Sequence, residues 1–390
     1  MSVEGALPRC KAVVAIPVRN EAERIAACLD ALASQTGVDA RELGIVLFLN
    51  NCTDDTAAIV ERAQAHVRVP LRVINRNCAD ANAGWARREA MEASARWLEE
   101  AGACSGVILT TDADSRVPTD WVARNLSALS HGVDAVAGQI ELDAADASRL
   151  PAALHARGQL EGTYGALLAE LESLIDPIPH DPWPRHWTTS GATLAVRLDA
   201  YRRVGGMPPL ALGEDRAFVS SLLTSDARVR HDPSITVTTS GRLQGRAEGG
   251  AADTMRLRCE VPESPCDFRL EALPRALFRY AWRRRLRQMH AQDRISRHHL
   301  WAPWLGLKPE TAQSVAAPSA FGAVLASVER TSPLLTYNAL RPASLPFNIM
   351  LARAALALLR CRAQLRTAFR SLVRTGAWSN PPARTEQGRT

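Results

Sequence analysis

Lysine is almost missing from this chain of 390 residues: Lys11 and Lys308 are the only two among 47 basic side chains, and the rest are arginine. Beside abundant alanine this reads as coding bias, so the frequency of arginine carries no functional message by itself. The formal net charge of +6 is too mild for the dense basic surface that nucleic-acid binding needs, and no nucleic-acid partner is expected. Paired cysteines are also missing. The eight cysteines stand singly with no CxxC, which excludes a structural zinc and a thioredoxin-type centre. They read as reduced thiols of a reducing, cytoplasmic setting. No apolar run reaches the roughly 20 residues that span a bilayer; the best, Leu345 to Leu359, is interrupted by Asn348 and Arg353. No signal peptide precedes the apolar run at Ala12. The expectation is a chain without a transmembrane segment, at most peripheral to a membrane. Repeats and low-complexity tracts are absent as well. What remains is ordinary for a globular protein, 46% hydrophobic and 23% charged, with disorder expected only in the polar end Trp378 to Thr390.

The first half alternates strand and helix signals. Ala12–Pro17, Gly44–Leu49, Leu71–Asn75 and Gly106–Thr110 are short apolar, β-branched runs. Between and after them lie helical patterns: Ile25, Leu29 and Leu32 on one side, then Thr56–Ala65, Ala83–Ala101 and Pro118–Leu129. Repeated β-α units of this spacing predict a mostly parallel sheet with helices on both faces. Farther on, Ala135–Leu142 and Gly191–Val196 read as strands and Pro151–Leu174 as a long helix. Beyond about Arg256 the rhythm stops. An arginine-rich helix begins near Pro274, which suits a first helical position, and another runs from Phe347 to about Val373. The predicted organisation is an α/β unit over 1–255, with halves of about 1–130 and 131–255, and a helical extension over 256–390.

In open parallel sheets ligands bind at the carboxyl ends of the strands. Pro17 to Glu21, Asn50-Asn51 and Asp112-Ala113-Asp114 all fall there, so three polar clusters converge on one edge. Two carboxylates two residues apart, leaving a strand, can hold one hard cation against a diphosphate, with phosphate and water supplying further oxygens. Asp112 and Asp114 are therefore candidate ligands for Mg2+ or Mn2+. A turn capped by aspartate is the plain alternative.

The company of this motif resembles the family 2 inverting glycosyltransferases of the GT-A fold. Ala15-Ile16-Pro17-Val18-Arg19-Asn20-Glu21 looks like the family's opening strand and Pro-x-x-Asn-Glu loop. Asn50 to Thr56 is similar to its second strand end, and Asp112-Ala113-Asp114 matches its metal motif. Gly213-Glu214-Asp215 matches its acidic pair. The resemblance implies a nucleotide-sugar donor, an acceptor hydroxyl, and hexosyl transfer with inversion. It also implies donor contacts at Pro17, Arg19, Glu21, Asn50 and Asp112, with Asn50 reading the base. Where relatives commonly carry two acids, this chain has Leu49-Asn50, which leaves the nucleotide open.

Asp215 would take the proton of the attacking hydroxyl, and Glu214 would orient the acceptor or support the loop. Acids are equally at home at a helix start, and both readings hold together. Thr239 to Arg246 resembles a Ser-x-Arg-x-x-Gly-Arg stretch of relatives, so Arg242 and Arg246 are candidates for the diphosphate; surface charge is the alternative. Arg87 and Arg88, at the start of the third helix, share that ambiguity, and Arg88 is taken as the donor contact. In the loop Asp176–Trp187, the side chains of His180, Trp183 and His186 suit a sugar acceptor, or packing. The small Gly191 lets backbone approach the ligand closely. His231 is the candidate third metal ligand. Arg269 to Arg297 reads either as a helix packed on its own domain or as a basic amphipathic helix for an anionic membrane.

Two other classes compete. A sugar nucleotidyltransferase would carry a Gly-rich basic loop after the first strand, unlike Pro17 to Glu21. A non-catalytic membrane-surface or interaction protein would have no use for Asp112, Asp114 and Asp215.

Overall fold

A computed structural model describes residues 10–79, 82–245 and 249–374, with 362–374 described by backbone alone. Arg246 and the segment Trp378–Thr390 lie outside the described residues. The strands are β1 (Ala12–Val18), β2 (Leu43–Asn50), β3 (Leu71–Arg76), β4 (Val107–Thr110), β5 (Ala135–Leu142), β6 (Leu194–Arg197) and β7 (Val229–Thr239). They form one sheet in the order β3-β2-β1-β4-β6-β5-β7. All neighbours are parallel except β6, which runs antiparallel to both β4 and β5. Every residue of β2 and β4 is buried. That explains their continuous apolar sequence: a parallel strand covered on both faces has no polar side to show.

The helices α1 (Ile25–Ala33), α2 (Thr56–Gln64), α3 (Ala83–Glu100) and α4 (Trp121–Ser130) follow the first four strands. Ile25, Leu29 and Leu32 join α2 and α4 residues in the core on one face. Ala86, Ala90, Met91, Trp97 and Leu98 of α3 cover the other. The helix expected from Pro118 begins later, at Trp121, with Pro118 in the preceding loop. The strand expected over Gly191–Val196 is split: Gly191–Thr193 is a 3-10 turn, and only Leu194 onward pairs.

Then come the short α5 (Ala144–Ala147), the long α6 (Ala152–Ile175), α7 (Leu198–Arg203) and α8 (Glu214–Thr224). After β7 the described residues add no further strand, only an isolated bridge between Glu271 and Ala339 and the helices α9 (Ala251–Glu260), α10 (Leu273–Ala291), α11 (Pro309–Val315), α12 (Phe321–Thr331) and α13 (Leu345–Arg374). Their cores are shared with the sheet-bearing part. Tyr164, Leu168 and Leu171 of α6 pack with Tyr280 of α10 and with Leu345, Ile349, Ala352 and Leu356 of α13.

Three arginines of α10, Arg279, Arg283 and Arg287, turn toward acids of neighbouring elements, while Arg284 and Arg285 are exposed. Arg279 is 1% exposed and forked onto Glu271 at 2.6 and 3.0 Å. Arg283 bridges Glu329 and Glu172 at 2.5 Å each, and Arg287 meets Asp176 at 3.1 and 3.0 Å. A buried ion pair adds less stability than it loses when one partner is removed, so this network dictates which helix faces meet. One helix among the described residues, Pro342–Cys361, is long and apolar enough to cross a membrane by length and composition. The sequence run alone suggested otherwise, because the helix extends the run at both ends. Its Leu345, Ile349, Ala352 and Leu356 are buried against α6 and α10, while Phe347, Met350 and Leu358 are exposed.

The helical extension is docked on the first part at a point of backbone contact. Both carboxylate oxygens of Asp226 accept from the first N–H groups of α12, at Phe321 (2.9 Å) and Gly322 (2.6 Å). A Cβ on Gly322 would lie 1.8 Å from the carbonyl oxygen of Leu223. Backbone at that distance cannot yield cheaply. Gly322→Ala is expected to lower stability by roughly 1–3 kcal/mol, read from urea unfolding; an unchanged midpoint would show that α12 docks elsewhere.

Candidate active site and its relatives

The carboxyl ends of β1, β2 and β4 meet at one rim. Asn20 and Asn51 hold left-handed backbone (φ 53° and 50°), a conformation asparagine tolerates better than most residues. These turns are tied together: Asn20 accepts from the Thr53 amide at 2.7 Å, and Thr56 Oγ1 accepts from the Glu21 amide at 2.8 Å. Pro17 lies within β1 opposite Phe48, and Arg19 is exposed just past the strand. Asn50 ends β2 at 2% exposure, and its Oδ1 has no hydrogen-bond partner among the described residues. A buried acceptor left unmatched costs on the order of 1–3 kcal/mol, and it suits a donor group brought by a ligand.

Asp112 and Asp114 follow β4. Asp114 is mostly buried; burial first, and the Asp112 charge second, push its carboxyl up to about 6 against the pull of Arg242. The guanidinium of Arg242 stands 3.2 Å from Asp114 and also pairs with Glu21. Glu21, Asp114 and Arg242 thus join the ends of β1, β4 and β7. Among the described residues no group of three or more His, Cys, Asp and Glu is placed to hold a metal.

The side chain at the centre is Arg87, 7% exposed on α3. Its Nε donates to Glu214 at 3.0 Å, and its Nη1 to Thr110 Oγ1 (2.9 Å) and to the Gly191 carbonyl (3.0 Å). Its Nη2 donates to Asp112 Oδ1 at 2.6 Å. Burial alone would lower its pKa; Asp112 and Glu214 more than offset this and raise it, so it stays charged. The Gly191 amide in turn donates to Asp215 Oδ2 at 3.0 Å, and Asp215 Oδ1 accepts from the Arg216 amide at 2.7 Å. One guanidinium therefore connects the Asp-x-Asp strand end to the Glu-Asp helix start. The turn into that helix is made by Gly213 in left-handed backbone (φ 72°).

Several expectations need correction. Arg88 points away and donates to the Met207 carbonyl; its neighbour Arg87 enters the site. Both lie on stripes that continue into buried residues, Ala90 and Ser94 after Arg87, Ala95 and Leu98 after Arg88, so the placement of α3 against the sheet decides which of them enters. Gly191 is small because Arg87 needs the room: a Cβ there would lie 2.5 Å from the guanidinium carbon. His231 is not beside the acidic pair. It pairs with Ala137 across from Leu194 and Thr110, three strand spacings from β4, which is about 14 Å. Its Nδ1 is 3.0 Å from Asp181 Oδ2.

Beside Asp215 lies a cavity of about 490 Å³, lined by α6, the segment Arg185–Ser190 and the segment Asp267–Leu270. Of the acceptor candidates His186 lines it, whereas His180 and Trp183 do not, and Trp183 is 44% exposed. Arg216, next to the Glu-Asp pair, also lines it, as do Phe268 and Arg269, whose segment Asp267–Leu270 returns from the helical extension and carries no sequence sign of a cavity wall. A second cavity of about 460 Å³ opens beside Arg242, with Arg24 and Arg149 on its walls.

Two measurements check this geometry. Gly191→Ala must displace Arg87, and an expected loss of roughly 1–3 kcal/mol is readable by thermal unfolding; an unshifted midpoint would refute the contact. His186 is held neutral: burial, then nearby His231, lower its pKa to about 4 from 6.5. Its stability contribution is full above pH 6.5 and is lost as pH falls toward 4, because only the unfolded chain takes up the proton in that window. The slope is at most about 1.4 kcal/mol per pH unit. His186→Gln should remove that slope relative to the parent; identical pH profiles would contradict it.

Compared with known proteins, residues 13–179 match the family model described as Glycosyl transferase family 2. No curated protein matches the chain. Among solved structures, TarS of S. aureus in complex with UDP-GlcNAc is 17% identical, with a TM-score of 0.46 over 88% of this chain and 87% of that one. The mannosyltransferase PcManGT of Pyrobaculum calidifontis, with GDP-Man and Mn2+, is 18% identical, with a TM-score of 0.45 over 93% and 80%. Glucosyl-3-phosphoglycerate synthase of Mycobacterium tuberculosis is 18% identical, with a TM-score of 0.38 over 66% and 81%. The matched stretch, residues 13–179, carries β1 to β5 and the Asp-x-Asp strand end, and over it this chain is similar to glycosyl transferase family 2.

Proposed function

We propose that the protein transfers a sugar, a hexose by the family resemblance, from a nucleoside-diphosphate sugar to an acceptor hydroxyl with inversion. The observation that carries this reading is the Arg87–Gly191 bridge, which fixes Asp215 and its cavity against the Asp112–Asp114 strand end. In this reading the unmatched amide oxygen of Asn50 receives an N–H of the base. Arg242 turns from Glu21 and Asp114 toward the diphosphate, for which its fork is suited. Asp112 and Asp114 are a crowded, half-desolvated acid pair and fit a divalent cation, Mg2+ or Mn2+, that completes its shell with phosphate and water oxygens. Such an ion, when bound, supplies charge neutralisation for the departing diphosphate.

Asp215 accepts the proton of the acceptor hydroxyl as that oxygen bonds to the anomeric carbon. The carbon–oxygen bond to the diphosphate breaks and leaves its electron pair on the phosphate. The two N–H groups on Asp215 hold the carboxylate in place while leaving acceptor capacity on each oxygen. Glu214 acts at one remove, by holding Arg87. The unit over 1–255 would carry these roles and 256–390 would complete the acceptor side.

Thermal shift with a panel of nucleoside diphosphates, with and without Mn2+, tests the donor side. One diphosphate should stabilise the protein in a metal-dependent way, and Asp112→Asn and Asp114→Asn should abolish the metal dependence. Asp215→Asn should keep the shift and lose product formation by roughly 10²–10⁴-fold. No response to any diphosphate would sink the reading, and pyrophosphate release from a nucleoside triphosphate would point to nucleotidyl transfer.

A further inference from the structure

The cavity beside Asp215 has an electrostatic peculiarity. Most arginines around the site are matched by acids: Arg87 by Asp112 and Glu214, Arg157 by Glu161, Arg185 by Glu172 and Asp181, Arg242 by Glu21 and Asp114. Arg216 and Arg269 are the exceptions on the cavity wall. Among the described residues no carboxylate lies within 4.0 Å of either guanidinium. Instead both are gathered on one aromatic ring, with their central carbons 5.3 and 5.5 Å from the centroid of Phe268. That ring is fixed in turn, edge-on to Tyr337 at 5.0 Å, and Tyr337 carries Arg279 over its own face at 3.7 Å. Arg269 spends one N–H on the Trp187 carbonyl, which orients the fork and leaves its other donors unspent.

The acids on the same wall do not neutralise this pair. Asp215 already accepts from two backbone amides, and Asp267 accepts from the Arg269 amide at 2.9 Å. Across from the arginines, α6 presents Gly162, Gly165, Ala166 and Ala169. A Cβ on Gly162 would meet nothing within 4 Å, and one on Gly165 only Leu270 at 3.7 Å. Glycine inside a helix is destabilising relative to alanine, and here it leaves space. Two like charges gathered at the mouth of a roomy cavity, beside the candidate base, are at their lowest energy with an anion between them.

We infer that this cavity binds the acceptor through an anionic group, a phosphate or carboxylate, clamped by Arg216 and Arg269 above Phe268, with the nucleophilic hydroxyl then placed at Asp215. The inference rests on the glycosyl-transfer reading for the fate of the bound molecule, but the anion subsite itself does not. The group could belong to a soluble sugar phosphate or to a lipid headgroup, and the chemistry is shared.

Calorimetric titration of the full chain, at constant ionic strength and with a nucleoside diphosphate and Mn2+ saturating, tests it. The probes are D-glucose 6-phosphate, dihexanoyl phosphatidic acid and, as the neutral control, D-glucose. At least one phosphate probe should bind ten-fold or more tighter than glucose, and which one wins distinguishes the two sources. Arg216→Ala and Arg269→Ala should each remove most of that preference, and Arg269→Lys, which keeps the charge but loses the fork, should fall between. Arg216 is exposed and makes no side-chain hydrogen bond among the described residues, so its variant reads the effect even where Arg269→Ala unfolds. Equal binding of charged and neutral probes, or a phosphate preference that both alanine variants retain, would overturn the inference. So would a preference seen only without the diphosphate, because the phosphate would then be occupying the donor side. Phosphate binding in a protein that ignores every nucleoside diphosphate would leave the subsite standing and remove the transferase reading.

Discussion

The buried guanidinium of Arg87 is the constraint around which the site is arranged. It touches four groups that are far apart in the chain: Thr110 and Asp112 at the end of β4, Gly191 before β6, and Glu214 at the start of α8. A charge in that position is tolerable because two carboxylates, a hydroxyl and a carbonyl accept four of its hydrogen bonds, and removing one carboxylate would leave it under-compensated. The planar fork with donors in fixed directions also dictates relative placement, which a lysine could not do. Gly191 is the complement of this demand, since no other residue leaves room for the fork. Asp215 is positioned through the same glycine's amide, so the spacing between the two halves of the site follows from a single side chain.

A second set of charges does the corresponding work for the helical extension. Glu172 and Asp176 near the end of α6 receive Arg185, Arg283 and Arg287. The extension is therefore keyed to the long helix that floors the cavity, and the docking of α12 on α8 through Asp226 and Gly322 adds a second attachment. Phe268 and Arg269 reach the cavity because these two attachments hold the intervening chain. The helices after β7 are thus part of the site and not an appendix to it.

Much of the sheet is legible from sequence because its central strands, β2 and β4 above all, are buried on both faces and read as plain apolar runs. The strand ends were found for the same reason: polar residues begin where the apolar run stops. Legibility fails where a residue's partner is distant. Arg87 and Arg88 look alike side by side, and only the register of α3 against the sheet separates them. His231 sits in a strand-like run after the Glu-Asp pair, which gives no hint that its strand is the far edge. Arg246 falls outside the described residues. Asp267–Leu270 shows nothing in its own sequence that marks a cavity wall, since its role comes from where α10 and α13 pack on α6.

Phe268 is held edge-on by Tyr337, which follows it by 69 residues. A growing chain acquires Asp112, Asp114 and Asp215 early, and segments fold as they emerge from the ribosome. The wall opposite Asp215 can form only after Tyr337 has been made. An incomplete nascent chain therefore owns the acidic groups without the full wall of the cavity beside them. Synthesis itself separates the moment the acidic strand end is made from the moment the wall beside Asp215 is complete.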